Sequence, residues 1–310
     1  MQFFGPEQVA DALPWSELIT SIEDIFVVDG AIAPDRTVHT ISVPGGSDAA
    51  LLMKPGWVIG DVIAVKVVTF FPDNGSRDLP TVNGGVLLFS ATKGIFLGAC
   101  DGTVLTARRT AAASAVAAKR LARHDVQRLL VVGTGALGPA AAQAHSAVRL
   151  YASIEIWGRD SAKAGAVVAT LRSEGLDATV SEDLDASVAE ADVISCVTGS
   201  NTPLVKGALL KEGAHVDLIG AFSPHMRESD DDVIRRAQVW VDTRSDAVLA
   251  GDLSQPIESG IFSADDIQGD LEALIAGTCD SRSSDQQITM FKSVGTALED
   301  VAAAKLVFGA

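Results

Sequence analysis

One stretch constrains the fold of this chain more than any other. It is Leu129-Leu-Val-Val-Gly133-Thr-Gly135-Ala-Leu-Gly138-Pro-Ala-Ala-Ala, an apolar strand that runs into three glycines and then into an alanine-rich helical segment. Glycines at this G-x-G-x-x-G spacing allow a tight turn, close approach of backbone to a pyrophosphate, and close packing of helix on strand. The helix N-terminus then faces the anion. Alone the motif is weak; between a strand and a helix it is strong. Its surroundings agree: the runs LLVV (129–132), IEIW (154–157), ADVISCV (191–197), HVDLI (215–219) and AQVWVD (237–242) alternate with helical stretches such as SAKAGAVVATLRSEG. Strands this apolar, alternating with helices, predict a parallel sheet covered on both faces, a doubly wound α/β domain.

The first hundred residues follow a different rhythm. DVIAVKVVTFF (61–71) and GGVLLFSATKGIFLGACDG (84–102) are strand sequences joined by turn residues, with Asp73-Asn-Gly75 and Asp101-Gly102 as turn signals. They predict a second, more antiparallel domain. Between the two regions TVLTARRTAAASAVAAKRLAR (103–123) is an alanine-rich helix suited to bridging them. The terminal SVGTALEDVAAAKLVF (293–308) is again helical and can return to the first domain. The expected division is 1–112 with 291–310 against 113–290.

At 310 residues and 47% hydrophobic, the chain is long and apolar enough for two cores. Its net charge of −16 argues against nucleic-acid or anionic-membrane partners, which need clustered Lys and Arg. It has no run of about eighteen uncharged apolar residues and no basic leader followed by an apolar stretch. Cys100, Cys196 and Cys279 are far apart, and the five histidines show no H-x-x-x-H or H-E-x-x-H spacing. That pattern suits a reducing cytoplasm and offers no metal cage.

Three cations stand out. Lys66 interrupts Val62-Ile-Ala-Val-Lys-Val-Val-Thr-Phe70, sharing a period-two face with Val62, Ala64, Val68 and Phe70. So apolar a face points to a ligand or partner; the competing reading is an edge-strand lysine that blocks aggregation. Arg109, in Thr106-Ala-Arg-Arg-Thr110, is expected in the first turn of the alanine-rich helix. A cation there opposes the helix dipole at a cost of up to about 1 kcal/mol, a placement explained if it holds a carboxylate together with the helix N–H groups. Arg108 reads as a surface ion pair. Arg36, in Pro34-Asp-Arg-Thr-Val-His39, stands evenly between a ligand cation and a surface pair.

The end of the second strand, Trp157-Gly158-Arg159-Asp160, bears on the nucleotide. NAD sites usually place an acid there against the ribose; here Gly158 is followed by Arg159, suited to a 2′-phosphate. Asp160 is either the cap of the next helix or a displaced NAD acid. The expectation is NADPH, with NADH as the alternative.

Taken in order, AVKVVTFFPDN, LPTVNGGVLLF, LTARRTAAASAVAAK, the glycine loop, ADVISCVTGSNTPLV, GAFSPHMRE and SVGTALEDVAAA resemble the ornithine cyclodeaminase / mu-crystallin family through most of the chain. The resemblance implies a Rossmann NAD(P)-binding domain plus an α+β substrate and dimerisation domain built from the N-terminal region and the C-terminal helix. It further implies a homodimer, with a small α-amino or α-imino acid in the cleft. Arg36 and Arg109 match substrate-carboxylate arginines, and Lys66 matches the active-site lysine. Gly133, Gly135 and Gly138, with Ala136 and Leu137, match the pyrophosphate loop. Arg159 matches an adenosine-phosphate arginine, although the triplet here is Gly-Arg-Asp rather than Asn-Arg-Thr. Thr198, Ser293, Gly295 and Thr296 are expected at the nicotinamide end, and Phe222 and His39 at the substrate pocket.

One position departs from part of the family. Members that expel ammonia from ornithine carry an aspartate where this chain has Phe222, and Phe222 can neither give nor take a proton. His225, three residues on, is offset and reads as a surface turn histidine. The loop Phe-Ser-Pro-x-Met-Arg-Glu and the stretch FKSVGTALED are similar to the branch that reduces cyclic ketimines. The implied activity is NAD(P)H-dependent reduction of Δ1-pyrroline-2-carboxylate and/or Δ1-piperideine-2-carboxylate to L-proline or L-pipecolate. The alternatives are a cyclodeaminase-type lyase, an alanine or N-alkyl-amino-acid dehydrogenase, and a non-catalytic NADPH-dependent binding protein.

Overall fold

The computed structural model describes residues 2–77 and 79–310. The chain divides into two compact units, one running to Arg109 and joined by Thr296–Ala310, the other Thr110–Gly295.

The first unit contains β1 (Gln2–Phe4), α1 (Pro6–Asp11), α2 (Trp15–Val27), β2 (Ala31–Ile32), β3 (Thr37–Ile41), β4 (Ala49–Val58), β5 (Val62–Phe70), β6 (Val82–Ser90) and β7 (Phe96–Asp101). Its sheet runs β1-β7-β6-β5-β4-β2, with β3 also paired to β4. All pairings are antiparallel except β1 on β7. Gly60, at φ 77°, makes the tight turn from β4 to β5. The C-terminal helix, Ala297–Phe308, packs on α2 and lies over β4 and β5. It comes so near β4 that a Cβ on Gly56 would sit 2.9 Å from that of Ala297. Leu18, Ile19, Ile22, Ile25 and Phe26 form the buried stripe of α2, at the helical spacing that faces a core. Strand β4 and the two N-terminal helices were not singled out in the sequence.

Helix α3 (Gly102–Leu121) carries the chain into the second unit. There follow β8 (Arg128–Val132), α4 (Leu137–Val148), β9 (Ser153–Trp157), α5 (Ser161–Ser173), β10 (Ala178–Val180), α6 (Leu184–Glu190), β11 (Val193–Cys196) and β12 (His215–Leu218). After these come α7 (Asp231–Arg236), β13 (Ala237–Val241), α8 (Arg244–Ala247), α9 (Gly251–Glu258), β14 (Ile267–Asp270), α10 (Leu271–Ala276) and β15 (Ile288–Lys292); the terminal helix is α11. The sheet order is β10-β9-β8-β11-β12-β15-β13-β14, and every pairing is parallel. The order in which the chain lays down strands reverses between β8 and β11, the switch point where open α/β sheets bind ligands at their carboxyl ends. Leu130 and Val132 join one buried layer and Leu129 and Val131 the other, as a period of two requires of a strand covered on both faces.

Two sequence expectations shift. Strand β15 lies wholly in the second unit, so the expected division at 290/291 falls inside a strand, and the other break lies at 109/110. The terminal helix begins at Ala297 rather than 293, because Thr296 caps it: its hydroxyl accepts from the Leu298 N–H, while its own N–H donates to Glu299.

Candidate active site

In the first unit, strand register sets two lysines face to face. Lys66 on β5 pairs with Lys54 on β4, and both side chains are buried. β5 lies between β4 and β6, so the edge-strand reading of Lys66 fails. Like charges opposite one another destabilise a sheet unless anions meet them. Those anions come from the first turn of α11, where acids also favour the helix dipole. Lys66 Nζ donates to Asp300 Oδ1 at 2.8 Å. Arg109 pairs with Glu299 and, through Nε, with Asp300 Oδ1 at 2.8 Å.

Burial, then Arg109, lower the Lys66 pKa to about 7, with Asp300 opposing and Lys54 adding to the fall. Lys54 drops to about 8 for the same two leading reasons, and Arg36 contributes. Burial works against the Asp300 carboxylate, yet Arg109, Lys66 and Lys54 together hold its pKa below the aspartate range. At Lys54 the charge of Arg109 counts for more than that of Asp300, while at Lys66 Asp300 opposes Arg109 through both its charge and its hydrogen bond. Lys66 is thereby poised to hold or release a proton near neutrality.

The sequence misplaced Arg109 along its helix. α3 starts at Gly102, where Asp101 accepts from the Val104 N–H at 2.7 Å, so Arg109 lies in the third turn. The helix N–H groups cannot join it in holding an anion; the carboxylates of α11 fix its guanidinium instead. It is 3% exposed. Arg108 is not a mere surface ion pair: it donates to the Leu13 carbonyl at 3.0 and 2.8 Å and stacks over Trp15. Arg36 is half-buried immediately before β3, whose first residue Thr37 pairs with Met53, next to Lys54. His39, farther along β3, is exposed.

In the second unit the three glycines divide their work. Gly133 has φ 133°, and a Cβ there would lie 2.7 Å from Val197. A Cβ on Gly138 would lie 2.7 Å from the Gly133 carbonyl, so helix and turn touch. At Gly135 a Cβ would meet nothing within 4 Å: that space is open to a ligand. No acid occupies the first turn of α4, which starts at Leu137 after Ala136. These features fit a dinucleotide pyrophosphate.

At the end of β9 a Cβ on Gly158 would come 2.5 Å from the Thr134 methyl. Asp160 caps α5, its Oδ1 accepting from the N–H groups of Ala162 and Lys163, as its cap reading expects. Arg159 is exposed.

Other expected ligand residues lie on loops with firm internal ties. Thr198 donates to Glu228 through its N–H and its hydroxyl. Ser293 Oγ and the N–H groups of Val294 and Gly295 all donate to Asp242 Oδ2, at 2.9, 2.7 and 2.6 Å. Thr296 belongs to the other unit and is used as the α11 cap. Phe222, at 46% exposure, projects from the loop after β12. Ser223 and His225 lie within 3.3 Å of each other on that loop, and His225 is exposed. Among the described residues no cluster of three His, Cys, Asp or Glu side chains is placed to hold a metal ion.

Sequence reasoning missed Lys54, Glu299 and Asp300. A signal for Lys54 was present, since it interrupts an apolar strand much as Lys66 does. Glu299 was legible as the capping-box acid of Thr296-Ala-Leu-Glu299. Asp300 carried no local sign of its role.

Residues 7–310 match the ornithine cyclodeaminase/mu-crystallin family. A Δ1-pyrroline-2-carboxylate reductase of Colwellia psychrerythraea is 35% identical over 99% of this chain and 98% of its own length. Among solved structures, the Thermococcus litoralis Δ1-pyrroline-2-carboxylate reductase in complex with NADH and L-proline is 28% identical, with a TM-score of 0.93 over 100% of this chain and 97% of that one. An archaeal alanine dehydrogenase dimer with bound NAD is also 28% identical, with a TM-score of 0.90 over 99% and 94%. The chain belongs to the ornithine cyclodeaminase/mu-crystallin family.

Proposed function

We propose that this chain is an NAD(P)H-dependent oxidoreductase that reduces a cyclic imino acid, Δ1-pyrroline-2-carboxylate and/or Δ1-piperideine-2-carboxylate, to L-proline or L-pipecolate. The observation that carries this reading is the buried group of Lys66, Lys54 and Arg109, with the half-buried Arg36 acting on Lys54, a set of cations that suits one small carboxylate. Arg109, itself oriented by Glu299 and Asp300, binds the substrate carboxylate together with Arg36 and fixes the ring's orientation. Lys66, with a pKa near 7, supplies the proton that accompanies reduction or hydrogen-bonds the carboxylate. Phe222 walls the apolar ring and keeps water out. When bound, the nicotinamide cofactor supplies the hydride to the imine carbon. Gly133, Gly135, Ala136, Leu137 and Gly138 cradle its pyrophosphate, while Thr198, Ser293 and Gly295 line its nicotinamide end.

NADPH is the preferred cofactor in this reading. Two features support it: Thr134 crowds the position of a ribose-binding acid at Gly158, and Asp160 is committed to its helix cap. Arg159 then faces the 2′-phosphate. Two copies pair through the first unit, a reading supported by the exposed Val38 and Ile41 on β3 and Val82 on β6 and by the dimeric archaeal neighbour. The free cysteines suit a cytoplasmic location, and no helix among the described residues is long and apolar enough to cross a membrane.

The test is NADPH and NADH oxidation with both cyclic imines, with pyruvate plus methylamine, and with pyruvate plus ammonia, alongside ammonia release from ornithine. Turnover confined to the cyclic imines supports the reading. The likeness to the alanine dehydrogenase favours a second, reductive amination of pyruvate, which the ammonia arm detects. Ammonia release from ornithine would overturn both.

A further inference from the structure

Beneath the Phe222 loop lies a carboxylate that the mechanism above does not use. Glu228 is fully buried. Its Oε1 accepts from the Thr198 N–H at 2.7 Å and the Thr198 hydroxyl at 3.0 Å. Its Oε2 accepts from the N–H groups of Gly220 at 2.9 Å and Ala221 at 3.1 Å. Four donors from two loops, one after β11 and one after β12, therefore converge on one side chain. The loops touch so closely that a Cβ on Gly220 would come within 2.1 Å of the Thr198 nitrogen.

The carboxylate is itself held. The Glu228 N–H donates to Asp252 Oδ1 at 2.8 Å, and Lys292 Nζ donates to Asp252 Oδ2 at 2.9 Å and to the Ala221 carbonyl at 2.6 Å. At the same loop the Gly251 N–H donates to the Ser223 carbonyl at 3.0 Å. Two buried carboxylates thus lie near one buried lysine that bonds Asp252 and not Glu228, an arrangement costly to desolvate unless hydrogen bonds satisfy the oxygens. An apolar plug would join two loops at lower cost. What the carboxylate adds is direction: four charge-assisted hydrogen bonds fix where Thr198 and Phe222 stand. These loops end at the carboxyl edge of the sheet, where the ligand belongs.

We infer that Glu228 is a positioning residue for hydride transfer, setting the loop that carries Thr198 and the loop that carries Phe222 without itself touching substrate. The inference rests on the roles given above to Thr198 at the nicotinamide end and to Phe222 as the wall of the substrate ring. Only the ionised carboxylate can accept all four bonds; a protonated one presents a hydroxyl to its donors. Burial pushes the Glu228 carboxyl up to about 7, with Lys292 of β15 pulling down and Asp252 of α9 pushing up. Cys196 of β11 also feels its charge. The fastened state is accordingly the one above neutrality, and reduction gains an acid limb as pH falls through about 7.

The experiment compares wild type, Glu228→Gln and Thr198→Val in single-turnover reduction, with NADPH and with NADPH deuterated at C4. For Glu228→Gln the hydride step is expected to slow on the order of 100-fold, the scale of a small misplacement of reacting groups. Its isotope effect rises, its acid limb vanishes, and NADPH affinity stays within about threefold. Thr198→Val removes one donor and keeps the backbone bond, so its acid limb moves to higher pH. An unchanged hydride step or a persisting acid limb in Glu228→Gln overturns the proposal. Should that variant not fold, an unmoved limb in Thr198→Val overturns it. A wild type inert toward every imine would sink the proposed function instead. The fluorescence lifetime of bound NADPH then reports the loops: equal lifetimes in wild type and Glu228→Gln reject the proposal, and a shift in Glu228→Gln supports it.

Discussion

Lys66 and Lys54 face each other across neighbouring antiparallel strands, and burial, then Arg109, lowers the pKa of each. A sheet that merely folds does better with an apolar pair there. The pair makes sense as a device that keeps Lys66 titratable near neutrality. As the acid in reduction, Lys66 acts while protonated, so kcat/KM, which reports the substrate-free enzyme, falls as pH rises through about 7. Lys66→Met is expected to lower kcat by roughly 10²- to 10⁴-fold. Lys54→Met removes a charge that depresses Lys66, so the alkaline limb should move to higher pH. A pH series on both variants decides; an unmoved limb would mean that Lys54 does not set the Lys66 pKa.

The same cations predict proton uptake on ligand binding. A carboxylate entering the cluster opposes Arg109 and raises the pKa of Lys66 and Lys54 from about 7 and about 8. Between those values and the higher ones of the complex, binding must draw protons from solution. Calorimetry of L-proline binding at pH near 8, in buffers of different ionisation enthalpy, measures the uptake directly. Arg109→Lys loses the planar fork, and the affinity should fall roughly 10- to 100-fold, as expected when a strong charge-assisted contact is weakened. Zero uptake would mean that the carboxylate binds elsewhere.

Much of this was legible in the sequence. The five strand runs of the second unit, its helices and its glycine loop were readable because parallel strands are long apolar runs and the loop has a fixed spacing. β15 was missed because Ile288-Thr-Met-Phe-Lys292 is short and runs straight into Ser293-Val-Gly, with no helix between to mark its end. The candidate site was half legible. Lys66 announced itself by breaking an apolar face. Asp300 and Glu228 did not, since their meaning lies in contacts with Arg109 and Lys66, or with Thr198 and Gly220, which sequence spacing does not encode. Arg109 was found for a mistaken reason: its supposed first-turn position vanished once Asp101 was seen to cap the helix earlier.

Cofactor choice yields a paired test. Gly158→Asp alone should not recruit NADH, because its Cβ would meet the Thr134 methyl at 2.5 Å. Thr134→Gly with Gly158→Asp clears that space and supplies the ribose acid. Adding Arg159→Ser removes the phosphate partner. The triple variant should bind NADH more tightly than Gly158→Asp does and lose roughly 10-fold or more in NADPH affinity. Fluorescence titration of both nucleotides reads this without turnover, and an NADH gain from Gly158→Asp alone would dismiss the steric role of Thr134.

A last prediction concerns a cluster that mimics a hydrolase. Ser114 Oγ donates to Asp217 Oδ2 at 2.8 Å and lies 3.1 Å from His145 Nε2; His215 Nε2 is 3.0 Å from Asp217 Oδ1. All four side chains are completely buried, so no ester or amide reaches the hydroxyl, and the cluster serves to hold α3 and α4 against β12. Burial opposes the Asp217 carboxylate, yet His215 and His145 bring its pKa below the ordinary 3.8. An acid depressed in this way stabilises the fold above its unfolded pKa, and that contribution is lost as pH falls below it. Asp217→Asn should cost roughly 3–5 kcal/mol, the scale of breaking a buried charged network, and flatten the acid limb of stability. Denaturant melts between pH 3 and 7 check both effects. Ser114→Ala should lose about 1–3 kcal/mol through the carboxylate left short of a donor, with no esterase activity in either protein. An esterase activity abolished by Ser114→Ala would mean that the cluster opens to solvent and is more than structural.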